Sequence, residues 1–242
     1  MDTFIRVTNQ TQGRDRLFRA TQYTCMLLRY LLEPKPGQEK VVEKLKSLEA
    51  SVSTGRKWFR LGNVVHALQA TQQSLQATDA AARLCLTLAN LNRVLYFICD
   101  TVLWAQSMGL APAVDPKRWR HWASRHYYYS LLLSLARDAY ELARHMERQG
   151  RKQARQEAQA VPSVADEDAM WLQSFLLLLL RSLRQQPPLL LDTVKNACDL
   201  LSPLNQLGIY ESNQGLIGLG GLVSSLAGLV TVLYPHMKLK IR

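Results

Sequence analysis

The side chains best suited to catalysis or metal binding are scattered along the 242-residue chain. The histidines form no pair at i and i+4, and no H-E-x-x-H, G-x-S-x-G or Walker pattern is present. They are His66, His121, His126, His145 and His236. Three adjacent acids, Asp166, Glu167 and Asp168, lie in a loop-like stretch, which favours solvated charge over acid and base catalysis. The sequence therefore predicts neither an enzyme nor a bound cofactor or metal.

Composition predicts a helical, apolar chain with an anionic partner. Lys and Arg total 30 against 19 Asp and Glu, and the net charge of +11 points to nucleic acid or an acidic membrane surface. Hydrophobic residues make up 48% of the chain, enough for a core of ordinary size. Apolar residues recur at helical spacing without sustained Val/Ile alternation, which predicts an all-α fold. The N-terminus lacks an apolar signal segment, so we expect synthesis in the cytosol.

Residues 215–235 are predicted to form a transmembrane helix. No Asp, Glu, Lys or Arg lies between Glu211 and Lys238, and the apolar stretch is long enough to cross about 30 Å of hydrocarbon. Gly220, Ser224 and Gly228 repeat every four residues, a spacing that allows close helix–helix packing. The partner helix could come from a second copy, giving a homo-oligomer, or from the same chain.

A second candidate membrane helix covers residues 84–104. Arg93 and Asp100 inside it cost roughly 5 to 7 kcal/mol together, against about 3 to 6 kcal/mol gained from its apolar residues. Asn90 shares a helical face with both charged residues, so the segment is predicted to be an amphipathic membrane helix with one polar stripe.

Charge placement predicts the orientation. Residues 1–83 carry thirteen Lys and Arg against seven acids, and the 236–242 tail is basic without an acid. The positive-inside rule then places the tail in the cytosol, together with the 1–83 helical region if 84–104 also spans. We expect the helical and loop region 105–214, with a flexible loop over 144–157, to be lumenal or membrane-associated.

A basic amphipathic helix is predicted to run from Arg56 to Leu75. Its apolar side chains keep three-and-four spacing, and its basic side chains precede or oppose them. The apolar residues are Trp58, Leu61, Val65, Leu68 and Leu75, and the basic ones are Arg56, Lys57 and Arg60. Such a face either packs in a protein core or inserts into a leaflet, where the cations bind anionic phospholipid and the wedge favours curvature.

Aromatic and basic residues also gather around the start of the next predicted helix, near Trp119, Trp122 and Tyr129, beside Arg118 and Arg125. Such clusters stack on single-stranded nucleic acid or form an aromatic belt at a membrane interface. Beside an apolar helix the belt is the better interpretation, so we expect no nucleic-acid partner.

Several strings together resemble the peroxisomal membrane protein 11 (peroxin) family, most closely its alpha form. The resemblance covers essentially the whole chain and depends on the order of the strings, none of which is catalytic. The strings are QGRDRLFR at 12–19, STGRKWFRLG at 53–62, and the segments 91–104, 192–208 and 218–221.

The resemblance implies a multi-pass protein of the peroxisomal membrane, with both termini cytosolic, that elongates the membrane before fission. It implies that the helix from Arg56 to Leu75 does the remodelling, and that the chain self-associates and works with the dynamin-related fission machinery and its adaptors. Lys238 and Lys240 fit a dilysine tail, which implies coatomer as a further partner; basic anchors beside the last span are the alternative. A competing function is a channel for small metabolites, with Asn90, Arg93 and Asp100 lining an aqueous path.

Overall fold

The computed structural model describes residues 8–157 and 167–239, and the side chains of 8–152 and 175–239. Within these ranges all regular structure is helical, which confirms the all-α fold. The helices are α1 (Thr11–Leu32), α2 (Glu39–Arg60), α3 (Asn63–Ser74), α4 (Ala80–Ser107), α5 (Pro116–Glu157), α6 (Glu167–Gln185), α7 (Pro187–Gln206) and α8 (Gln214–Leu233), followed by a short 3₁₀ helix, Pro235–Met237.

The predicted transmembrane helix, α8, packs antiparallel to α1. A Cβ atom at Gly218 would lie 3.2 Å from the backbone nitrogen of Leu27, and one at Gly221 would lie 2.4 Å from the Tyr23 ring. The buried residues of α8 are all small: Gly215, Gly218, Gly220, Gly221, Ser224, Ser225, Ala227 and Gly228. Small residues let the two helix backbones approach closely, while Leu216, Leu219 and Leu226 remain exposed on the opposite side.

This close contact predicts opposite effects for two glycine-to-alanine substitutions. Overpacking costs about 1–3 kcal/mol, whereas removing a helical glycine contributes about 0.5–1 kcal/mol. We expect Gly221→Ala to lower the free energy of unfolding and Gly150→Ala on α5, whose added methyl group would have no neighbour within 4 Å, to raise it. Denaturant unfolding in detergent, monitored by circular dichroism, measures the free energy of unfolding of both variants. Equal stabilisation by the two variants would contradict the α1–α8 contact.

The segment from Arg56 to Leu75 is not one helix, as the sequence predicted, but parts of two. Leu61 is extended (φ −58°, ψ 131°) and Gly62 has φ +85°, a left-handed conformation in which glycine has no Cβ penalty. The α2 helix therefore ends at Arg60, and α3 begins at Asn63 in a new direction. Apolar spacing continues across the break, and for that reason periodicity alone did not reveal it.

Helices α3 and α4 form a hairpin through small and polar side chains. Ala67, Thr71 and Ser74 are buried on one side of α3. The Nδ2 of Asn90 on α4 donates to the Ala70 carbonyl over 3.2 Å. Asp79 caps α4 by accepting hydrogen bonds from the Ala81 and Ala82 backbone N–H groups, each over 3.0 Å. The hydrogen bond from Ala82 is the largest cause of the lowered pKa of Asp79.

Helix α5 is 42 residues, or about 63 Å, long. It includes residues 144–157, where the sequence predicted a flexible loop. The structure corrects that prediction: the stretch is rich in Glu, Gln, Lys and Arg, which favour a helix even without an apolar face. An exposed i,i+4 ion pair between Glu147 and Arg151 adds to it.

The distribution of polarity is inverted relative to a water-soluble domain. Among the described side chains, the buried apolar residues are mostly Ala, Val and Cys, and the buried polar residues include charged Arg19, Arg137, Asp138 and Asp199. Large leucine, isoleucine and valine side chains are exposed along α3, α4 and α8. Soluble proteins seldom expose such continuous apolar surface, whereas proteins surrounded by lipid direct polar groups inward.

Candidate membrane-contact surface

The apolar residues predicted on the remodelling helix point away from the rest of the chain. Val65 is 67% exposed, Leu75 57% and Leu68 50%, and together they form what we call the outer face of α3. Trp58, at the end of α2, is 53% exposed. Leu61 is half-buried at the break between the helices. The described part of the chain therefore does not cover this apolar face with a core of its own.

The basic residues of the same segment are held inside the chain. The Nε of Arg56 donates to Oδ1 of Asp15 over 3.0 Å, and its Nη1 donates to Oε1 of Gln22 over 2.7 Å. The Nη2 of Arg60 lies 3.2 Å from Oδ1 of Asp100. Arg56 and Arg60 thus have carboxylate partners, in contrast to the expected free basic face, because α2 turns them toward α1 and α4. Lys57 beside them is half-buried.

Helix α4, predicted as an amphipathic helix with one polar stripe, also carries an apolar stripe whose residues were not named from the sequence. The indole of Trp58 packs edge-on against Trp104 at the end of α4, with ring centroids 5.1 Å apart. Along the outer side of α4, large apolar side chains are exposed at alternating spacings of four and three. They are Leu84, Leu88, Leu91, Leu95 and Ile98. This spacing was the signal in the sequence that could have identified the stripe.

The polar residues of α4, considered above as the lining of a path, have separate surroundings. Asn90 is buried and bonded to α3, and Asp100 is paired with Arg60 of α2. Arg93 is half-buried, and its positive charge lowers the pKa of both Asp192 and Lys195 on α7. Because Asn90 and Asp100 already have partners in the chain, the structure gives the channel hypothesis no support.

A buried ion pair joins the N-terminal helix to the C-terminal part of the bundle. Arg19 of α1 donates two hydrogen bonds to the carboxylate of Asp199 on α7, and both side chains are buried. The guanidinium also lies 5.4 Å from the centroid of the Tyr23 ring. Ser224 of α8 is fully buried and lies beside Asp199. Three helices therefore meet around one charge pair.

The predicted packing face of α8 contacts helices of its own chain. A Cβ at Gly220 would lie 2.7 Å from Leu201 of α7, and one at Gly228 would lie 3.0 Å from the Arg16 side chain of α1. Ser224, between them, faces Asp199. The sequence left open whether Gly220, Ser224 and Gly228 pack against a second copy or against the same chain, and these contacts lie within the same chain. A second copy could bind this face only after α1 or α7 moved away.

Aromatic and basic side chains pair at the start of α5. The Arg118 guanidinium lies 5.1 Å from the Trp122 ring centroid, and that of Arg125 lies 5.9 Å from Tyr129. Trp122 and Tyr129 are both exposed. The tail residue Lys238 is exposed after the 3₁₀ helix, whereas Lys240 lies outside the described residues. Within the described part of the chain, no three His, Cys, Asp or Glu side chains are grouped to hold a metal.

One helix within the described residues, α8, is long and apolar enough to cross a membrane. Residues 1–233 match the family model described as Peroxisomal biogenesis factor 11 (PEX11). The chain is 70% identical to Peroxisomal membrane protein 11A of Homo sapiens, with all of both chains covered. It is 40% identical to Peroxisomal membrane protein 11B of Homo sapiens, covering 99% of this chain and all of the relative.

A more distant relative is Peroxisomal biogenesis factor 11 of Schizosaccharomyces pombe, 25% identical over 92% of this chain and 90% of the relative. These relatives are named as peroxisomal membrane proteins and biogenesis factors rather than as enzymes. No solved structure matches the chain.

Proposed function

The chain belongs to the peroxisomal biogenesis factor 11 family, and from that membership we propose that it elongates the peroxisomal membrane before fission by inserting an apolar surface into one leaflet. It is a peroxisomal membrane protein with a role in peroxisome biogenesis. The inserted surface consists of the outer face of α3 together with Trp58.

The observation that carries the proposal is the exposed outer face of α3. Fully burying one valine or leucine side chain contributes about 1.5–3 kcal/mol, so three side chains that are half or more exposed supply several kcal/mol of membrane affinity. The adjacent side of α3, with Ala67, Thr71 and Ser74, is buried and packs on α4. A helix fixed on one side and apolar on the other widens only the leaflet it enters, which favours curvature.

Two helices are proposed to cross the bilayer, making the protein multi-pass. Helix α8 is about 30 Å long and α4 about 42 Å, both sufficient for the hydrocarbon core. Asp100 of α4 is paired with Arg60 of α2, and that pairing offsets part of the insertion cost expected from Asp100.

The antiparallel contact of α1 and α8 supports a common side for the two ends of the chain. Arg16, near the start of α1, lies over Gly228, near the end of α8. With the basic tail at the cytosolic face, both ends lie there. We propose that α1 lies beside α8 within the membrane, so that α2 and α3 form the cytosolic surface of residues 1–83. Residues 105–214 are proposed to be membrane-associated.

The proposed partners are those that the net charge and the family resemblance imply. Anionic phospholipid is the proposed substrate surface, attracted by the net charge of +11. The chain is proposed to self-associate through a face other than Gly220, Ser224 and Gly228, to act with the dynamin-related fission machinery and its adaptors, and to offer Lys238 and Lys240 to coatomer.

The proposal is tested by reconstituting the purified full-length protein into vesicles of phosphatidylcholine with and without about 30% phosphatidylserine. We expect tubules in electron micrographs of the anionic vesicles at high protein density, and fewer on neutral ones, because surface charge raises the local concentration of the basic chain. Spherical vesicles at every protein density and composition, with the protein verified as inserted and helical, would contradict direct remodelling and leave recruitment as the function.

A further inference from the structure

The start of α5 carries an excess of positive charge. Residues 115–129 include four Lys and Arg against the single acid Asp115, and no further acid follows before Asp138. Asp115 caps the helix, and its carboxylate accepts a hydrogen bond from the Lys117 backbone N–H over 2.9 Å. All four cations are exposed, and none forms an ion pair with a residue that the structure describes. They are Lys117, Arg118, Arg120 and Arg125.

Two of these arginines lie against exposed aromatic rings one turn further along the helix. The Arg118 guanidinium is 5.1 Å from the centroid of Trp122, and that of Arg125 is 5.9 Å from the centroid of Tyr129. The Nε of Arg125 also donates to the Tyr129 hydroxyl over 3.4 Å. The four side chains recur at spacings of four, three and four, so they share one side of α5. We call them the α5 patch.

Apolar side chains border the α5 patch at both ends. Leu132, three residues beyond Tyr129 on the same side, is 38% exposed. Leu110, in the turn that leads into α5, is 71% exposed, more than any other large apolar side chain that the structure describes. A bilayer surface offers anionic headgroups to the cations and hydrocarbon to the leucines, whereas single-stranded nucleic acid offers no hydrocarbon. The composition therefore favours a membrane over a nucleic acid.

Helix α2, which enters the proposed remodelling segment, has no comparable surface. Its arginines Arg56 and Arg60 are paired with carboxylates of α1 and α4. Its exposed lysines near the N-terminal end are interleaved with exposed acids, namely Lys40 and Lys44 with Glu39 and Glu43. The α5 patch thus has the free cations that the sequence led us to expect beside Trp58.

We propose that the α5 patch binds the headgroups of anionic phospholipid and gives the protein a preference for anionic membranes. Guanidinium groups bind phosphate and carboxylate oxygens through paired, charge-assisted hydrogen bonds, and the Trp122 and Tyr129 rings hold them at the interface. Arg118 and Arg125 lie seven residues, or about 10 Å, apart along the helix, so each contacts its own headgroup. The inference rests on the proposed function only for the location of the chain at a membrane.

The level of the α5 patch along α4 agrees with this assignment. Helix α5 runs antiparallel beside α4, where the rings of Tyr96 and Tyr127 stack with centroids 4.9 Å apart. Arg118 is therefore level with the last turns of α4, beyond Ile98, where the exposed apolar stripe of α4 ends. Ile98 lies about 14 Å before the end of α4 at Ser107, so with α4 as a span these turns extend past the hydrocarbon.

The test measures lipid binding by the full-length protein in an uncharged detergent. The probes are dioctanoyl phosphatidylserine and dioctanoyl phosphatidylcholine, and the readout is the affinity of lipid bound per chain, by native mass spectrometry. We expect phosphatidylserine to be preferred, and Arg118→Gln, Arg125→Gln to weaken its binding at least about fivefold, or about 1 kcal/mol. The matched control, Arg83→Gln, Arg148→Gln, removes the same charge from exposed positions on α4 and on the distal part of α5 and should bind as the unmodified protein does.

Unchanged phosphatidylserine binding in Arg118→Gln, Arg125→Gln would overturn the proposal, and so would equal weakening in the control, which would assign the effect to net charge. Competition by a single-stranded oligonucleotide that is lost in the same variant would reassign the α5 patch to nucleic acid. Should the variant misfold, the unmodified protein in vesicles still decides. Phosphatidylserine must slow phenylglyoxal labelling of Arg118 and Arg125 relative to phosphatidylcholine alone, and equal labelling overturns the proposal. Vesicle shape is not measured, so a failure of membrane remodelling leaves this result unaffected.

Discussion

Replacing Asp199 with alanine is expected to lower the free energy of unfolding by about 3–5 kcal/mol, since Arg19 would remain charged and buried without its partner. The two side chains are only 11% and 4% exposed. The pair also joins α1 to α7 beside the buried Ser224 of α8, so its loss weakens packing among three helices. Denaturant unfolding in detergent, monitored by circular dichroism, gives the change directly.

Two further variants show whether burial is the cause. Glu147→Ala removes the partner of Arg151 in an exposed ion pair and should cost less than about 1 kcal/mol. Replacing Arg19 and Asp199 together with leucine removes both charges and should be far less destabilising than Asp199→Ala alone. A loss for Asp199→Ala no larger than that for Glu147→Ala would show that Arg19 is hydrated, and that α1 does not pack on α7 as described.

The variant Val65→Glu, Leu68→Glu is expected to abolish tubulation of peroxisomes at unchanged protein abundance. On an insertion scale, exchanging a leucine for an acidic residue costs about 3 kcal/mol at the bilayer centre, so the two substitutions lower leaflet insertion by at least about a hundredfold even at half that cost. Neither residue packs inside the chain, and the fold should therefore survive. Fluorescence microscopy of peroxisome length in cells lacking the endogenous protein measures the effect.

Gln73→Glu supplies the matched control, because Gln73 is exposed on the same helix but lies away from the outer face. It adds an acid at a position that stays in water, and peroxisomes should elongate normally. Normal elongation by the Val65→Glu, Leu68→Glu variant as well would refute leaflet insertion by α3. Loss of elongation in both variants would mean that net charge, rather than the apolar face, determines activity.

The helices themselves were largely predictable from the sequence, whereas the orientation of their faces was not. Absence of charge between Glu211 and Lys238 is a local signal, and α8 lies where it predicted a helix. Arg56 pairs with Asp15, about 40 residues earlier in the chain, and Arg60 pairs with Asp100, about 40 residues later. No local sequence pattern indicates such pairs. A single amphipathic helix looks the same whether its polar side faces water or buried carboxylates.

The candidate site illustrates the same limit. The sequence identified Val65, Leu68 and Leu75 as one face, but left open whether a core would cover them. The small-residue face of Ala67, Thr71 and Ser74 is buried against α4 and turns the larger residues outward, so no part of the described core covers them.

The pairing of α1 with α8 also affects the timing of synthesis. Some 180 residues separate the end of α1 at Leu32 from the start of α8 at Gln214. At translation rates of about 5–20 residues per second, α1 waits about 10–40 seconds before its partner exists. During that interval Tyr23 and Leu27, which the glycines of α8 later cover, have no native contact with that helix. The contact between α1 and α8 can therefore form only when synthesis of the chain is nearly complete.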